Sequence, residues 1–220
     1  MNITLQDVKN HPAFTTYIQR ADEYLTQMGY TEHAFVHVGR VANEAARILL
    51  QTGHDKRKAE LAAIAGYLHD IGNVINRNRH ETSGALMAFY LLNTMGAEQE
   101  DIATIVTAIG NHDEATAFPV NDVAAALMIA DKTDVRRSRV RDKASIAFDI
   151  HDRVNYAVVD SRVEVLADEK EIRLNLSIDT DSSPISEYFE IFLSRMILCR
   201  KAAEKLGYSF GLVINGQKMM

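Results

Sequence analysis

His69 and Asp70 are the residues of this 220-residue chain best placed to do chemistry. Leu61, Ile64, Ala65 and Leu68 recur at helical spacing and run straight into Tyr67-Leu68-His69-Asp70-Ile71-Gly72. Packing has no use for an imidazole and a carboxylate at the close of an apolar helix, and burying them unpartnered costs several kcal/mol. A single bound cation partners both. A neutral nitrogen beside a charged oxygen suits iron, manganese or zinc better than calcium. Gly72 is expected to end the helix at a positive φ. The dipeptide alone is weak, since it also stands at 54–55, 112–113 and 151–152. His54-Asp55 sits among Lys56, Arg57 and Lys58 and reads as a solvated turn, whereas His151-Asp152 lies between short helical pieces with no sustained apolar stripe.

The elements that must position this pair are mainly helical. Periodicity, Pro12 and the stops at Gly29, Gly53 and Gly96 predict helices near 12–28, 32–51, 56–69, 80–95, 97–111 and 121–137. The pattern then changes to a period of two over 162–178, with Asp168-Glu169-Lys170 as the turn of a β-hairpin. Pro184 opens a long helix to about Lys205, and Phe210 to Ile214 is expected as an edge strand. The expected fold class is mainly α: an all-helical domain over 1–160 and a small α+β appendage over 161–220.

Helical spacing assigns several more polar groups to buried faces. His37 shares a face with Val41, Ala45 and Ile48, and His80 with Gly84, Met87 and Leu91. His112 follows Ile102, Ile105 and Ile109, and Asp131 follows Val123 and Leu127. One such histidine is ordinarily a hydrogen-bonded core residue, but five or six groups on five successive helices are expected to converge. Asp131 weighs most, because a buried carboxylate without a cation is rarer than a buried imidazole.

The order His37, His69-Asp70, Asp131 resembles the HD superfamily of metal-dependent phosphohydrolases, and so do the strings HVGRVANEAARI, AAIAGYLHDIGN and ALMIADKTD around them. The resemblance covers about residues 30 to 140 and implies an all-helical scaffold on which these four residues bind a metal. His80 and His112 match the extra histidines of members that bind two metals, with Asp70 as the bridging ligand. The implied cofactor is a pair of divalent ions, iron or manganese first, with magnesium, zinc, nickel or cobalt as alternatives. His69 and Asp70 are the implied catalytic pair. Two departures stand out: Asn73 replaces the lysine common after the His-Asp-Ile-Gly string, and the Gly-Tyr-Pro string of cyclic-dinucleotide phosphodiesterases is absent.

Such a centre would bring the pKa of a water near neutrality and offset charge on phosphate oxygens. The expected activity is therefore hydrolysis of a phosphate ester or phosphoanhydride, of a nucleotide or a related phosphorylated small molecule. Alternatives are a di-iron oxygenase of the same superfamily and a non-catalytic nucleotide or metal sensor. Arg137 and Arg141, four apart beyond Asp131, are candidates for gripping phosphate, with Arg77 and Arg79 from the loop after the doublet and His33 one turn before His37. No Ser-His-Asp or Cys-His arrangement and no Walker glycine loop competes.

Composition sets the outer bounds. A net charge of −6 argues against general nucleic-acid binding. No apolar run approaches a bilayer span, and no basic start leads into an apolar leader segment, so a cytoplasmic protein with no membrane partner is expected. The lone Cys199 excludes an internal disulfide and reads as core filler. A homodimer is compatible with the appendage, which equally suits substrate capping or partner docking.

Overall fold

The computed structural model describes residues 1–220. Nine helices, α1 (Leu5–Asn10), α2 (Pro12–Gln27), α3 (Phe35–Gln51), α4 (Lys56–Leu68), α5 (His80–Thr94), α6 (Gln99–Gly110), α7 (Asp122–Lys132), α8 (Ile150–Ala157) and α9 (Ile185–Lys205), surround one apolar core. Strands β1 (Val158–Leu166), β2 (Glu171–Ile178), β3 (Ser209–Ile214) and β4 (Gln217–Lys218) form a single sheet in sequence order. No helix is long and apolar enough to cross a membrane.

Two helices lie at the centre. In α4 every residue from Leu61 to Leu68 is buried, and in α7 every residue from Val123 to Ala130. A helix apolar on all sides is stable only when neighbours cover it completely. Alanines and glycine make this cover close. A Cβ on Gly66 would stand 2.9 Å from the Ala42 Cα, so α3 and α4 touch almost backbone to backbone. Asp55 starts α4 by accepting a hydrogen bond from the Lys58 amide at 2.9 Å.

Gly72 does not occupy the helix-terminal role expected of it. Its φ is not positive, and it sits inside a 3-10 turn over Ile71–Val74 that follows the doublet. Closeness explains the glycine instead. A Cβ there would lie 2.0 Å from the His80 carbonyl oxygen and 2.5 Å from the Gly84 amide nitrogen. The turn is pressed against the start of α5, which is what brings His80 beside Asp70.

The second half departs from expectation in three places. The hairpin begins at Val158 rather than 162, continuing directly from α8. β3 is not an edge strand: it runs parallel to β2 (Leu174 opposite Leu212) and carries β4 on its other side. A parallel pair needs a crossover, and α9 supplies it. The boundary expected near 160 falls inside β1, and one core runs across it, with Leu127, Leu174, Phe192 and Leu212 in the same cluster. Cys199 is buried in that core, and burial pushes its thiol up to about 12, far from a nucleophile's range.

The turn packing yields a direct test. Gly72→Ala should lower stability by about 1–3 kcal/mol through overpacking against α5. Gly39→Ala, where a Cβ meets nothing within 4 Å, should be neutral or stabilising. Urea midpoints of the two variants measure both; an undisturbed Gly72→Ala would contradict the packing role.

Candidate metal centre

Five elements deliver polar side chains to one point. His37 comes from the first turn of α3, His69 and Asp70 from the end of α4, His80 from the first residue of α5, His112 from just beyond α6, and Asp131 from the last turn of α7. The four histidines and Asp70 are buried, at 0–5 % exposure. Three overlapping triples of these residues each bring their donor atoms within 4.8 Å of one another: His37, His69 and Asp70; His69, His112 and Asp131; and Asp70, His80 and His112.

Hydrogen bonds fix how each ring points. His69 donates from Nδ1 to the Gly66 carbonyl (2.8 Å), His80 to the Arg77 carbonyl (3.1 Å) and His112 to the Ile109 carbonyl (2.6 Å). His37 donates from Nδ1 to Asp134 Oδ2 at 2.7 Å. These partners only accept, so each Nδ1 carries a proton and each ring turns its Nε2 inward. Such outer contacts are what orient metal-binding histidines.

The inward nitrogens then meet in pairs. His37 Nε2 lies 3.3 Å from His69 Nε2, and His80 Nε2 lies 3.2 Å from His112 Nε2. Two lone pairs at that distance repel unless something positive lies between them. Asp70 serves both pairs: its Oδ2 is 3.3 Å from His69 Nε2 and 3.7 Å from His37 Nε2, and its Oδ1 is 3.3 Å from His80 Nε2. Asp131 Oδ1 stands 3.5 Å from His37 Nε2 and 3.6 Å from His69 Nε2. Four donors about 2.1 Å from one ion in a tetrahedron stand about 3.4 Å apart. The donor set therefore fits a metal ion in both chemistry and spacing.

The electrostatics agree. Burial, the largest single influence on His69, opposes protonation, yet Asp70 and Asp131 outweigh it and raise the ring to about 10. Burial likewise works against the charged form of Asp70 and Asp131, but His69 and, for Asp131, first of all Lys132 hold both carboxyls well below the usual carboxylate range. Burial keeps His80 and His112 below the ordinary histidine value. Without an ion, the cluster draws one proton onto His69 in its place.

The surroundings divide the residues singled out from sequence. His33 and Arg77 line the cavity of about 680 Å³ that opens on the cluster. Arg77 Nη1 is 3.7 Å from Asp70 Oδ1 and 3.3 Å from Asn73 Oδ1, while Asn73 Nδ2 donates to Asp70 Oδ1 at 2.9 Å. Asn73 thus steadies Asp70, and Arg77 brings positive charge beside it. Arg79 is exposed, holds φ 60° ahead of α5 and is not in the cavity wall.

Arg137 and Arg141 are also turned elsewhere, which corrects their expected approach to phosphate. Arg137 donates to the Tyr156 carbonyl (2.5 Å), pairs with Asp179 (3.2 Å) and stacks on Tyr156. Arg141 donates to the Tyr30 carbonyl (3.1 Å) and pairs with Asp22. The argument from a four-residue spacing needed a helix, but α7 ends at Lys132 and Arg137–Arg139 is a single 3-10 turn. Arg139, between them, is the one that reaches the cavity wall.

Sequence reasoning also missed Asp134, Lys132, Asp152 and Arg195. Asp134 lies three residues beyond Asp131, a signal that could have found it. Lys132 Nζ sits 2.7 Å from Asp131 Oδ2 and lines the cavity. Asp152 is buried in the cavity wall on α8, where no apolar stripe gave it away. Arg195 on α9 arrives only through tertiary packing.

Fold and centre together define a helical bundle whose helix ends converge on a buried histidine–aspartate cluster that could hold metal. Residues 34–136 match the model of the HD domain family. All six donors fall inside the matched span, whereas α8, α9 and the sheet lie outside it. The chain is also similar to an uncharacterized protein of Methanocaldococcus jannaschii, 27% identical over 179 residues, covering 71% of this chain and 68% of that protein.

The protonated His69 predicts a pH signature. A ring raised to about 10 from its unfolded value of about 6.5 contributes stability that is complete below 6.5 and is lost as pH rises through 10. Chelator-treated protein should therefore lose urea resistance between pH 6.5 and 10 more steeply than metal-loaded protein, whose His69 is neutral. Equal slopes would contradict the proton's role as stand-in.

Proposed function

We propose that this protein hydrolyses a phosphate ester or phosphoanhydride of a small molecule, with two divalent ions held on either side of Asp70. The observation that carries the reading is Asp70 shared between two facing histidine pairs, at the floor of a cavity whose wall holds Arg77, Lys132, Arg139 and Arg195. His37, His69, Asp70 and Asp131 would hold one ion, and Asp70, His80 and His112 the other. When bound, such ions polarise a phosphoryl oxygen and bring the pKa of water near neutrality.

The chain's own groups would do the rest. His69 and Asp70, which sequence marks as the catalytic pair, act here as donors. Asn73 and the Gly66 carbonyl hold them in place. Arg77 and Lys132 place fixed positive charge where phosphoryl oxygens arrive, 3.7 Å from Asp70 and 2.7 Å from Asp131. His33 stands at the same wall with burial depressing its pKa, so it is neutral and offers a hydrogen bond rather than a charge. Iron or manganese suits this nitrogen-and-carboxylate set, and nucleotides are the substrate class to try first.

Chelator-stripped protein reconstituted with manganese or anaerobically with iron should release phosphate from p-nitrophenyl phosphate or from nucleotides. Asp131→Ala should lose metal and at least about a hundredfold in kcat/KM. Arg77→Met should keep its metal and raise KM. A fully metal-loaded wild type that hydrolyses no phosphorylated compound would overturn the assignment.

A further inference from the structure

Arg195 stands apart from the other cations of the cavity. Arg139 donates from Nε to the Glu32 carbonyl (3.1 Å) and from Nη1 to the Asp134 carbonyl (2.8 Å), which makes it part of the wall. Arg77 donates to Asn73, and Lys132 is paired with Asp131. Arg195 donates no hydrogen bond to the protein. Its Nε is fully buried and 2.6 Å from Glu114 Oε1, an ion-pair contact without hydrogen-bond alignment. Its guanidinium lies 4.3 Å from the centroid of the Phe192 ring, and both residues line the cavity. Glu114 thus takes up charge on the Nε side of the guanidinium, and no protein acceptor takes a hydrogen bond from its other nitrogens.

Stacking on Phe192 holds the planar fork rigid and leaves its terminal nitrogens free, the state in which arginine grips a carboxylate or phosphate. Glu114 does not neutralise this wall alone, because the same carboxylate oxygen lies 3.7 Å from Lys132 Nζ. Arg195 makes no ion pair with Asp131 itself; its contact is Glu114, which meets Lys132, which in turn meets Asp131. A cavity of about 680 Å³ has room for a molecule much larger than one phosphoryl group.

Resting on the phosphohydrolase reading, we propose that Arg195 is a specificity-determining residue that holds a second oxyanion of the substrate, beyond the phosphoryl group at the metal centre. Preferred substrates then carry two anionic groups, as diphosphates or phosphorylated acids do. The residue comes from α9, outside the span that matches the HD domain family, which gives the C-terminal part of the chain a role in substrate choice.

Calorimetric titration of the metal-loaded full chain with methylphosphonate and methylenediphosphonate tests this without turnover. Wild type should prefer the diphosphonate, and Arg195→Gln should weaken that ligand about tenfold or more while leaving methylphosphonate within about twofold. Metal content should not move. Arg195→Lys should recover part of the preference, and it carries the comparison should the glutamine variant fail to fold. Equal weakening of both ligands would put Arg195 on the reacting phosphoryl group and overturn the second-oxyanion role. No change in either would reduce Arg195 to an ion pair of Glu114. Binding of neither ligand by metal-loaded wild type would bring down the phosphohydrolase reading as well.

Discussion

Two imidazole nitrogens facing each other within hydrogen-bond distance need positive charge near them, and this protein holds two such pairs in contact with one carboxylate serving both. Much of the fold serves that contact. Each ring is pinned from behind by an acceptor that it cannot leave without stranding a buried N–H: three backbone carbonyls three residues upstream, and Asp134 for His37. The carbonyl partners belong to helix ends or turns, where backbone groups lack intrahelical partners. A site assembled at helix ends thus gets its outer hydrogen bonds from the same local geometry that ends the helices.

Close packing converts that local order into a cluster. Small residues in α4 let α3 approach, which sets His37 against His69. The absence of a side chain at Gly72 lets the turn after Asp70 meet α5, which sets His80 against Asp70. The buried charges would be prohibitive alone, since a carboxylate removed from water costs several kcal/mol. Here Asp70 and Asp131 are offset by Arg77, by Lys132 and by whatever positive species sits among the nitrogens. A metal ion bound among the six donors would be that species, and a proton on His69 supplies positive charge at the same place.

The centre was legible because its parts are local: each donor follows an apolar helical stripe, and the doublet ends the most buried one. The cavity wall was not. Arg137 and Arg141 looked paired because a helix was extended past its real end at Lys132, and beyond that end spacing says nothing about direction. Gly72 looked like a helix stop because the need for a glycine in the sequence does not distinguish positive φ from a close neighbour. Arg195 sits about 60 residues beyond Asp131 on a helix whose own pattern is ordinary, and only the crossover between β2 and β3 brings it over the cavity. The parallel placement of β3 was hidden for the same reason, since strand partners are set by where α9 packs.

In the proposed centre Asp70 joins two ion sites. Anomalous diffraction at the metal absorption edge, from crystals of protein loaded with manganese or anaerobically with iron, tests it most directly. Two peaks are expected flanking the Asp70 carboxylate, about 3.5–4 Å apart, one within bonding distance of His37 and His69 and the other of His80 and His112. A single peak under metal excess, or a peak that Asp70 does not touch, would contradict it.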